Sequence, residues 1–276
     1  MKTMDRARLS ANLEKRCQEL TNHMAAPGLP GLATPSLKAE KLSRKIHLSH
    51  GIVEKRLPAA CKQGSLISKA AFHLANGTGL SPATNDVILG TAHCVFCYAG
   101  PFRYPSSQCG FLFSYTLEDE RSHDGAASPF DSGGLMSHIG FPFEFGSAPH
   151  YLQNHEFPIP EHRQYLQLVL DNLFAQPEHY IDGTPPEHAN CLGLSGGDER
   201  MWTHEVRIPD SISLVDRHLR AVFLSSGLHG SNTEIEEFVL RCESKGIDCI
   251  KFDSPRRGDF KVLKSKCVEY LQEKLY

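Results

Sequence analysis

The chain has 276 residues, of which 40% are hydrophobic and 22% are charged, and its formal net charge is −3 at pH 7. This composition is typical of a globular protein with enough residues for a large core. No run of about 18 apolar residues is present, and residues 1–25 carry both charge signs without an apolar stretch. Neither a membrane helix nor a secretory signal is therefore predicted, and we expect a cytoplasmic protein without membrane partners.

The charge and the cysteines are distributed unevenly. Residues 1–60 hold 11 Lys and Arg against 5 Asp and Glu, whereas the rest of the chain holds 18 against 27. The basic segment could help to hold a phosphate-bearing ligand, or it could be an ordinary solvated surface. The nine cysteines, from Cys17 to Cys267, have no repeated spacing. They are expected to be reduced thiols rather than a disulfide framework.

The first predicted element is an N-terminal helix over residues 4–23, with Leu9, Leu13, Cys17 and Leu20 near helical spacing. The Pro- and Gly-rich run that follows predicts a linker, so we divide the chain into an N-terminal part, 1–37, and a main domain, 38–276. Short β-like runs then predict strands at 46–50, 87–89, 94–98, 111–115, 205–208, 219–224 and 247–252.

Three further helices are predicted, at 165–174, 234–245 and 262–275. The second has a capping box at Ser231 to Glu234 and ends at Gly246. Residues 117–200 are poor in strand signal and rich in Gly, Pro and His, which indicates long loops or an insertion. The pattern predicts an α+β fold without regular βαβ alternation.

Two short motifs suggest chemistry that their spacing does not support. His93 and the Asp131-Ser132-Gly133-Gly134 run are similar to protease signatures, but they lie too close together in sequence for two β-barrels to separate them. A Gly-rich turn is the preferred interpretation of that run. His93, Cys94, Cys97 and Cys109 could be zinc ligands, but no second close-spaced pair accompanies them, and buried thiols are favoured.

A third feature is more informative: the run from Ile46 to Ile67 predicts a strand ending in His50-Gly51, a short helical stretch and a Gly-Ser-Leu turn. A histidine at a strand end can offer a ring nitrogen to a ribose hydroxyl, and an adjacent glycine allows an amide-bearing ring to approach the backbone. These residues resemble the ADP-ribosyltransferase fold of poly(ADP-ribose) polymerases and DarT-like toxins. A plain strand-to-turn junction is the alternative interpretation of His50-Gly51.

Two later blocks follow the order of that family. Residues 95–107 resemble its second block, in which an aromatic residue at a strand end stacks on nicotinamide and a serine or arginine follows. An aromatic face suits a flat cationic ring. Tyr98 is our first choice for this role, with Tyr104 and Phe102 as alternatives. Residues 201–209 resemble the strand that carries the family's glutamate, here Glu205.

The resemblance implies a site and a fold. Glu205 would hold the ribose and stabilise positive charge as nicotinamide leaves, with His50 and Tyr98 as further catalytic residues. The residues implied to bind NAD, the co-substrate, are His50, Gly51, Tyr98, Arg103, Tyr104 and Ser106. No metal is expected. The implied core is a split, mixed or antiparallel sheet with flanking helices and an insertion at about 117–200.

The function implied is that of a mono-ADP-ribosyltransferase acting on a macromolecule. Thr203 stands where arginine-modifying relatives carry Glu or Gln, which disfavours arginine as the acceptor. Nucleic acid, RNA or DNA, is slightly favoured over protein, because Arg103 and the basic segment suit phosphate contacts. A toxin or defence role with an inhibitory, antitoxin-like partner is also implied. The alternative is a non-catalytic nucleotide- or protein-binding module, which would not need His50, Tyr98 and Glu205 to meet in one cleft.

Overall fold

The computed structural model describes residues 5–76, 84–137, 140–189, 197–228, 232–253 and 259–275. The strands β1 to β10 are Leu48–Ile52, Ser65–Ile67, Cys94–Ala99, Cys109–Phe113, Ala126–Ser128, Phe157–Pro158, Glu205–Pro209, Ser211–Ser213, Leu219–Ser225 and Asp248–Phe252. The helices α1 to α12 are Arg6–Met24, Leu37–Lys45, Leu57–Gln63, Lys69–Asn76, Thr84–Ile88, Leu117–Glu120, Ser132–Leu135, Ala148–Gln153, His162–Leu173, His179–Asp182, Thr233–Ser244 and Phe260–Leu275.

Eight of these strands form one sheet in the order β10-β9-β4-β1-β3-β7-β5-β6. All neighbours are antiparallel except β9 and β10, which are parallel and connected through α11. β2 and β8 form a separate antiparallel pair. The predicted class, α+β with a mainly antiparallel mixed sheet and flanking helices, is confirmed.

The N-terminal helix forms as its apolar spacing predicts. Asp5 caps α1 by accepting a hydrogen bond from the Arg8 N–H, and Leu9, Leu13 and Leu20 are buried. Cys17, which shares their spacing, is half-buried. α1 packs against β6 and α9, and α2 also packs on α9, so the helix lies on the main body of the protein.

The long insertion is not free of strands. It supplies β5, which pairs with β7, and β6, which extends the sheet beyond β5. These strands have three and two residues, too few for an alternating pattern to show in sequence. The insertion therefore supplies the strand that pairs with β7, which carries Glu205.

One predicted strand is wrong, and others are displaced. Residues 87–89 lie in and after the short helix α5, where Asp86 is ion-paired with Lys69. β1 begins two residues later than predicted, so His50-Gly51 lies inside the strand rather than at its end. α11 buries the expected face, Ile235, Phe238, Val239 and Cys242; Asn232 is its N-cap. Ser231 of the predicted capping box lies outside the described residues.

Candidate active site

A cleft of about 440 Å³ opens where β1, β3 and β7 lie side by side. Six of the seven residues predicted to form a site line it, and they are His50, Gly51, Tyr98, Tyr104, Ser106 and Glu205. Four of these six residues lie on the three adjacent strands β1, β3 and β7, and the other two lie in the loop between β3 and β4. The structure thus brings together residues that are up to 155 positions apart in sequence.

His50 is held as a neutral imidazole with a defined tautomer. Its Nδ1 lies 2.7 Å from the Phe96 carbonyl oxygen, which can only accept, so Nδ1 is the donor. Burial, together with the nearby positive charges of Arg56 and Lys69, lowers the pKa of His50 to about 4. Nε2 is therefore left as a hydrogen-bond acceptor.

Gly51 is required by packing within the fold. A Cβ at this position would lie 2.0 Å from Ser107 Oγ and 2.5 Å from Ser107 Cβ. The backbone of Gly51 pairs with Gly110 of β4, where a Cβ would clash with the Phe102 ring at 2.2 Å. The two glycines let the loop of residues 100–108 pack directly on the sheet.

The three aromatic candidates occupy different environments. Tyr98 is buried, and its Cα is paired with that of Glu205 in the β3–β7 register. Burial and the nearby carboxyl groups of Asp131 and Glu205 raise the pKa of Tyr98 well above its usual value. Tyr104 lines the cleft with 44% of its surface exposed, whereas Phe102 is fully buried in edge contact with Phe223. Of the three, the two tyrosines can contact a ligand in the cleft.

Glu205 is the first residue of β7, and 1% of its surface is exposed. Its Oε2 accepts a hydrogen bond of 3.3 Å from the Ser132 backbone N–H, and its Oε1 lies 3.6 Å from Arg207 Nε. Burial and the adjacent carboxyl group of Asp131 raise the pKa of Glu205 well above its usual value. The low exposure of Glu205 means that little water reaches this carboxyl group, although it lines the cleft.

Arg207 connects Glu205 to the N-terminal helix. Its Nη1 lies 3.2 Å from Glu156 Oε1, and Glu156 Oε2 lies 2.6 Å from Arg8 Nη2 on α1. Two ion pairs therefore link α1 to the arginine that contacts Glu205.

Sequence reasoning misses several residues of the cleft, and one of them carries a second buried carboxyl group close to Glu205. Asp131, at the start of the Asp-Ser-Gly-Gly run, lines the cleft and is 2% exposed. It follows β5, which pairs with β7 so that Ser128 lies opposite Glu205. The motif is visible in the sequence, but its partner is Glu205 rather than His93, which is exposed in the turn before β3.

Arg103 is placed away from the cleft. Its side chain is fully buried, ion-paired with Glu199, and donates a hydrogen bond of 2.6 Å to the Tyr180 carbonyl oxygen. These contacts occupy the guanidinium group and hold the loop after β3 in place, so the proposed cofactor site does not include Arg103.

Four cationic side chains line the cleft, Lys55, Arg56, Lys69 and Arg200. Lys69 is paired with Asp86 at 3.1 Å, and Arg200 with Asp198 at 2.8 Å. Arg56 lies 4.8 Å from the centroid of the Phe72 ring, and Lys55 is exposed. A positive potential on this side of the cleft favours an anionic ligand.

Other features of the described residues bear on ligands. No group of three or more His, Cys, Asp or Glu side chains in the described ranges is arranged to hold a metal ion. The eight described cysteines are free thiols. Within the same residues, no helix has the length and apolarity needed to cross a bilayer.

Among solved structures, this chain is similar to DarT from Thermus sp. 2.9 in two complexes. The complex with ADP-ribosylated ssDNA matches with a TM-score of 0.41 and 9% identity over 75% of this chain and 94% of that one. The complex with NAD+ matches with a TM-score of 0.40 and 9% identity over 75% and 95%. DarT-like proteins are the group that the sequence blocks resemble.

Thermosipho africanus DarTG in complex with ADP-ribose matches with a TM-score of 0.38 and 9% identity, over 74% of this chain and 49% of that one. No protein-family profile and no curated protein sequence matches this chain. Because the structural likeness is distant, the proposal below rests on the cleft itself.

Proposed function

We propose that this protein is an NAD-dependent mono-ADP-ribosyltransferase that transfers ADP-ribose to a nucleic acid. The observation that carries the proposal is that His50, Tyr98 and Glu205, from three separate strands, line one cleft. A non-catalytic module would not need a neutral histidine, an aromatic ring and a buried carboxyl group in that arrangement.

The shape and charge of the cleft suit NAD as co-substrate. Nε2 of His50 can accept a hydrogen bond from a ribose hydroxyl, since Nδ1 already donates to Phe96. Tyr98 and Tyr104 offer aromatic surface for the nicotinamide ring, whose positive charge is attracted to an aromatic face. Lys55 and Arg56 lie where cationic groups can contact the diphosphate. Gly51 and Ser106 complete the lining.

Two successive roles are proposed for Glu205: it first stabilises positive charge on the ribose and then acts as a base for the acceptor. As the bond between the ribose C1′ and the nicotinamide nitrogen breaks, its electron pair leaves with nicotinamide and positive charge develops on the sugar. A negative charge held in a dry site stabilises that charge far more than it would in water. The acceptor nucleophile then forms a bond to C1′ and gives its proton to the carboxyl site.

A nucleic acid acceptor is preferred because the cationic side chains of the cleft accompany a basic N-terminal fifth of the chain. The Thermus sp. 2.9 DarT complex holds ADP-ribosylated ssDNA. An antitoxin-like inhibitor, a toxin or defence role and a cytoplasmic location are part of this proposal and follow from the sequence resemblance.

The test measures nicotinamide release from NAD by the purified protein, offered separately with ssDNA, duplex DNA, RNA and a protein extract. Wild type is compared with Glu205→Gln and with Glu237→Gln, a matched change at an exposed position on α11. We expect release that needs ssDNA, duplex DNA or RNA, falls at least about a hundredfold in Glu205→Gln, and is unchanged in Glu237→Gln.

Two results would contradict the proposal. If NAD raises the melting temperature but no mixture releases nicotinamide, the protein is a binding module of the same shape. If NAD neither shifts the melting temperature nor is consumed, the cleft serves another ligand. Nicotinamide release that occurs only with the protein extract would correct the acceptor class.

A further inference from the structure

The Asp131 and Glu205 carboxyl groups have matching hydrogen-bond environments. Asp131 Oδ1 accepts from the Gly133 N–H at 2.8 Å, and Glu205 Oε2 accepts from the Ser132 N–H. Among the described residues, no donor reaches the second oxygen of either group, Asp131 Oδ2 or Glu205 Oε1. Both atoms are buried, and a buried acceptor without a donor is costly.

The charges around the pair leave one carboxyl group without a cation of its own. Arg8 and Arg207 together face Glu156 and Glu205, so these four charges balance. Arg200 is hydrogen-bonded to Asp198 on the same short turn and also acts on Asp131, whose pKa its charge lowers, so one cation serves two carboxyl groups. Asp131 is then the surplus negative charge.

The remaining titratable groups around the pair are neutral. They are the phenol of Tyr98 and the thiols of Cys94 and Cys97, all on β3. The pKa of Tyr98, Cys94 and Cys97 is raised by burial. A proton between the two carboxyl groups supplies both the missing donor and the missing positive charge, as in other buried carboxyl pairs.

We propose that Asp131 and Glu205 share one proton at neutral pH and act together as a single monoanion in the cleft. The pKa shifts agree with this, because burial raises the pKa of both groups and the neighbouring Asp131 carboxyl group raises the pKa of Glu205 further. Asp131 is thus a positioning residue that fixes the protonation state in which Glu205 meets the substrate.

The consequence for catalysis rests on the proposed function. The monoanion supplies one negative charge opposite the developing positive charge on the ribose. When the acceptor bonds to C1′, the pair takes up the acceptor's proton and becomes neutral, and that proton then passes to water. Loss of the shared proton at alkaline pH leaves two carboxylates that repel each other, so Glu205 loses its fixed position.

The direct test needs no turnover. The carboxyl carbons of Asp and Glu are labelled with ¹³C, and Asp131→Asn and Glu205→Gln assign the two resonances by difference. We expect wild type to keep one proton on the pair at neutral pH, and the Asp131→Asn variant to titrate Glu205 at least about one pH unit lower. The amide introduced by Asp131→Asn retains an oxygen that can accept from the Gly133 N–H.

The matched control is Asp119→Asn, at an exposed position. It removes one exposed carboxyl group that does not line the cleft, so the Glu205 resonance should titrate as it does in wild type. Full ionisation of both groups in wild type at neutral pH would overturn the proposal.

The catalytic test is the pH profile of kcat/KM for nicotinamide release. Wild type should lose activity about tenfold per pH unit above an alkaline break, and this break should be absent in Asp131→Asn but present in Asp119→Asn. A break that persists in Asp131→Asn overturns the shared proton as its cause. If the resonances show the shared proton but NAD is never consumed, the pair stands and the proposed function fails. Turnover with both groups ionised would instead support the proposed function and overturn the shared proton.

Discussion

Gly51 gives the sharpest test of how the cleft is built. In Gly51→Ala the new Cβ would lie 2.0 Å from Ser107 Oγ and 2.5 Å from Ser107 Cβ. Ser107 is 1% exposed, so its side chain cannot swing into solvent. Overpacking of this kind costs about 1 to 3 kcal/mol, which lowers Tm by about 2 to 10 °C in a chain of this size.

A double-mutant cycle identifies the cause of that loss. Ser107→Gly removes the Oγ, the nearer of the two clashing atoms, together with the Cβ, and leaves only an ordinary contact of 3.7 Å with Phe102. Ser107 Oγ has no hydrogen-bond partner within the described residues. We therefore expect Gly51→Ala with Ser107→Gly to be more stable than Gly51→Ala alone by about 1 kcal/mol or more. Urea unfolding followed by fluorescence and circular dichroism measures all four proteins.

The control is Gly146→Ala, because a Cβ there would meet no atom within 4 Å. The packing argument is refuted if Gly51→Ala is as stable as wild type, or if the second substitution restores nothing. The double variant also separates folding from ligand binding. If it is stable and still fails to bind NAD, Gly51 serves the ligand as well as the fold.

Three further predictions concern buried polar groups near the cleft. Because the folded-state pKa of Glu205 exceeds its ordinary value of 4.5, its contribution is complete at acid pH and is lost as pH rises. Glu205→Gln should therefore gain Tm relative to wild type as pH rises above about 5, and a constant difference in thermal scans would contradict this. Glu118 behaves oppositely, since Arg163 and His162 outweigh burial and lower the pKa of Glu118 to about 2. Its stabilisation is present above 4.5 and lost as pH falls towards 2, so acid unfolding of Glu118→Gln should be less steep than that of wild type. In Tyr180→Phe the His204 N–H would lose its acceptor, the Tyr180 hydroxyl, at a cost of about 1 to 3 kcal/mol; urea unfolding with an unchanged midpoint would show that the bond contributes nothing.

The sequence is most informative where a strand is long and buried on both faces. β3 and β7 are predicted almost to their ends. Residues 94–98 form a continuous apolar run, and residues 205–208 alternate charged and apolar side chains, and both patterns are typical of strands. Their pairing puts Tyr98 opposite Glu205, and that register requires contacts between distant segments. The order of residues in the sequence can suggest the three family-like segments, but it cannot show that His50, Tyr98 and Glu205 line one cleft.

Two features of the site depend on long-range contacts that the sequence does not show. The run that begins at Asp131 is interpreted in sequence as a Gly-rich turn, whereas the neighbour of Asp131 in space is Glu205, 74 residues later. Arg103 is predicted to bind the ligand because it follows an aromatic strand, but Glu199 and the Tyr180 carbonyl hold it in the interior. Neither partnership leaves a periodic or compositional signal.

The position of α1 has a practical consequence for anyone who shortens or tags this protein. The sequence predicts residues 1–37 as a helix and linker separate from the main domain, yet Arg8 neutralises Glu156, which in turn forms an ion pair with Arg207 beside Glu205. In a chain trimmed to begin at Ser36, Glu156 would lose Arg8 and keep Arg207 as an ion-pair partner. The trimming would also expose the surface of β6 and α9 that α1 covers. The electrostatics around Glu205 would then differ from those of the intact protein. A trimmed form that fails the nicotinamide-release assay would therefore not test the proposed function, and the intact chain is the form to assay.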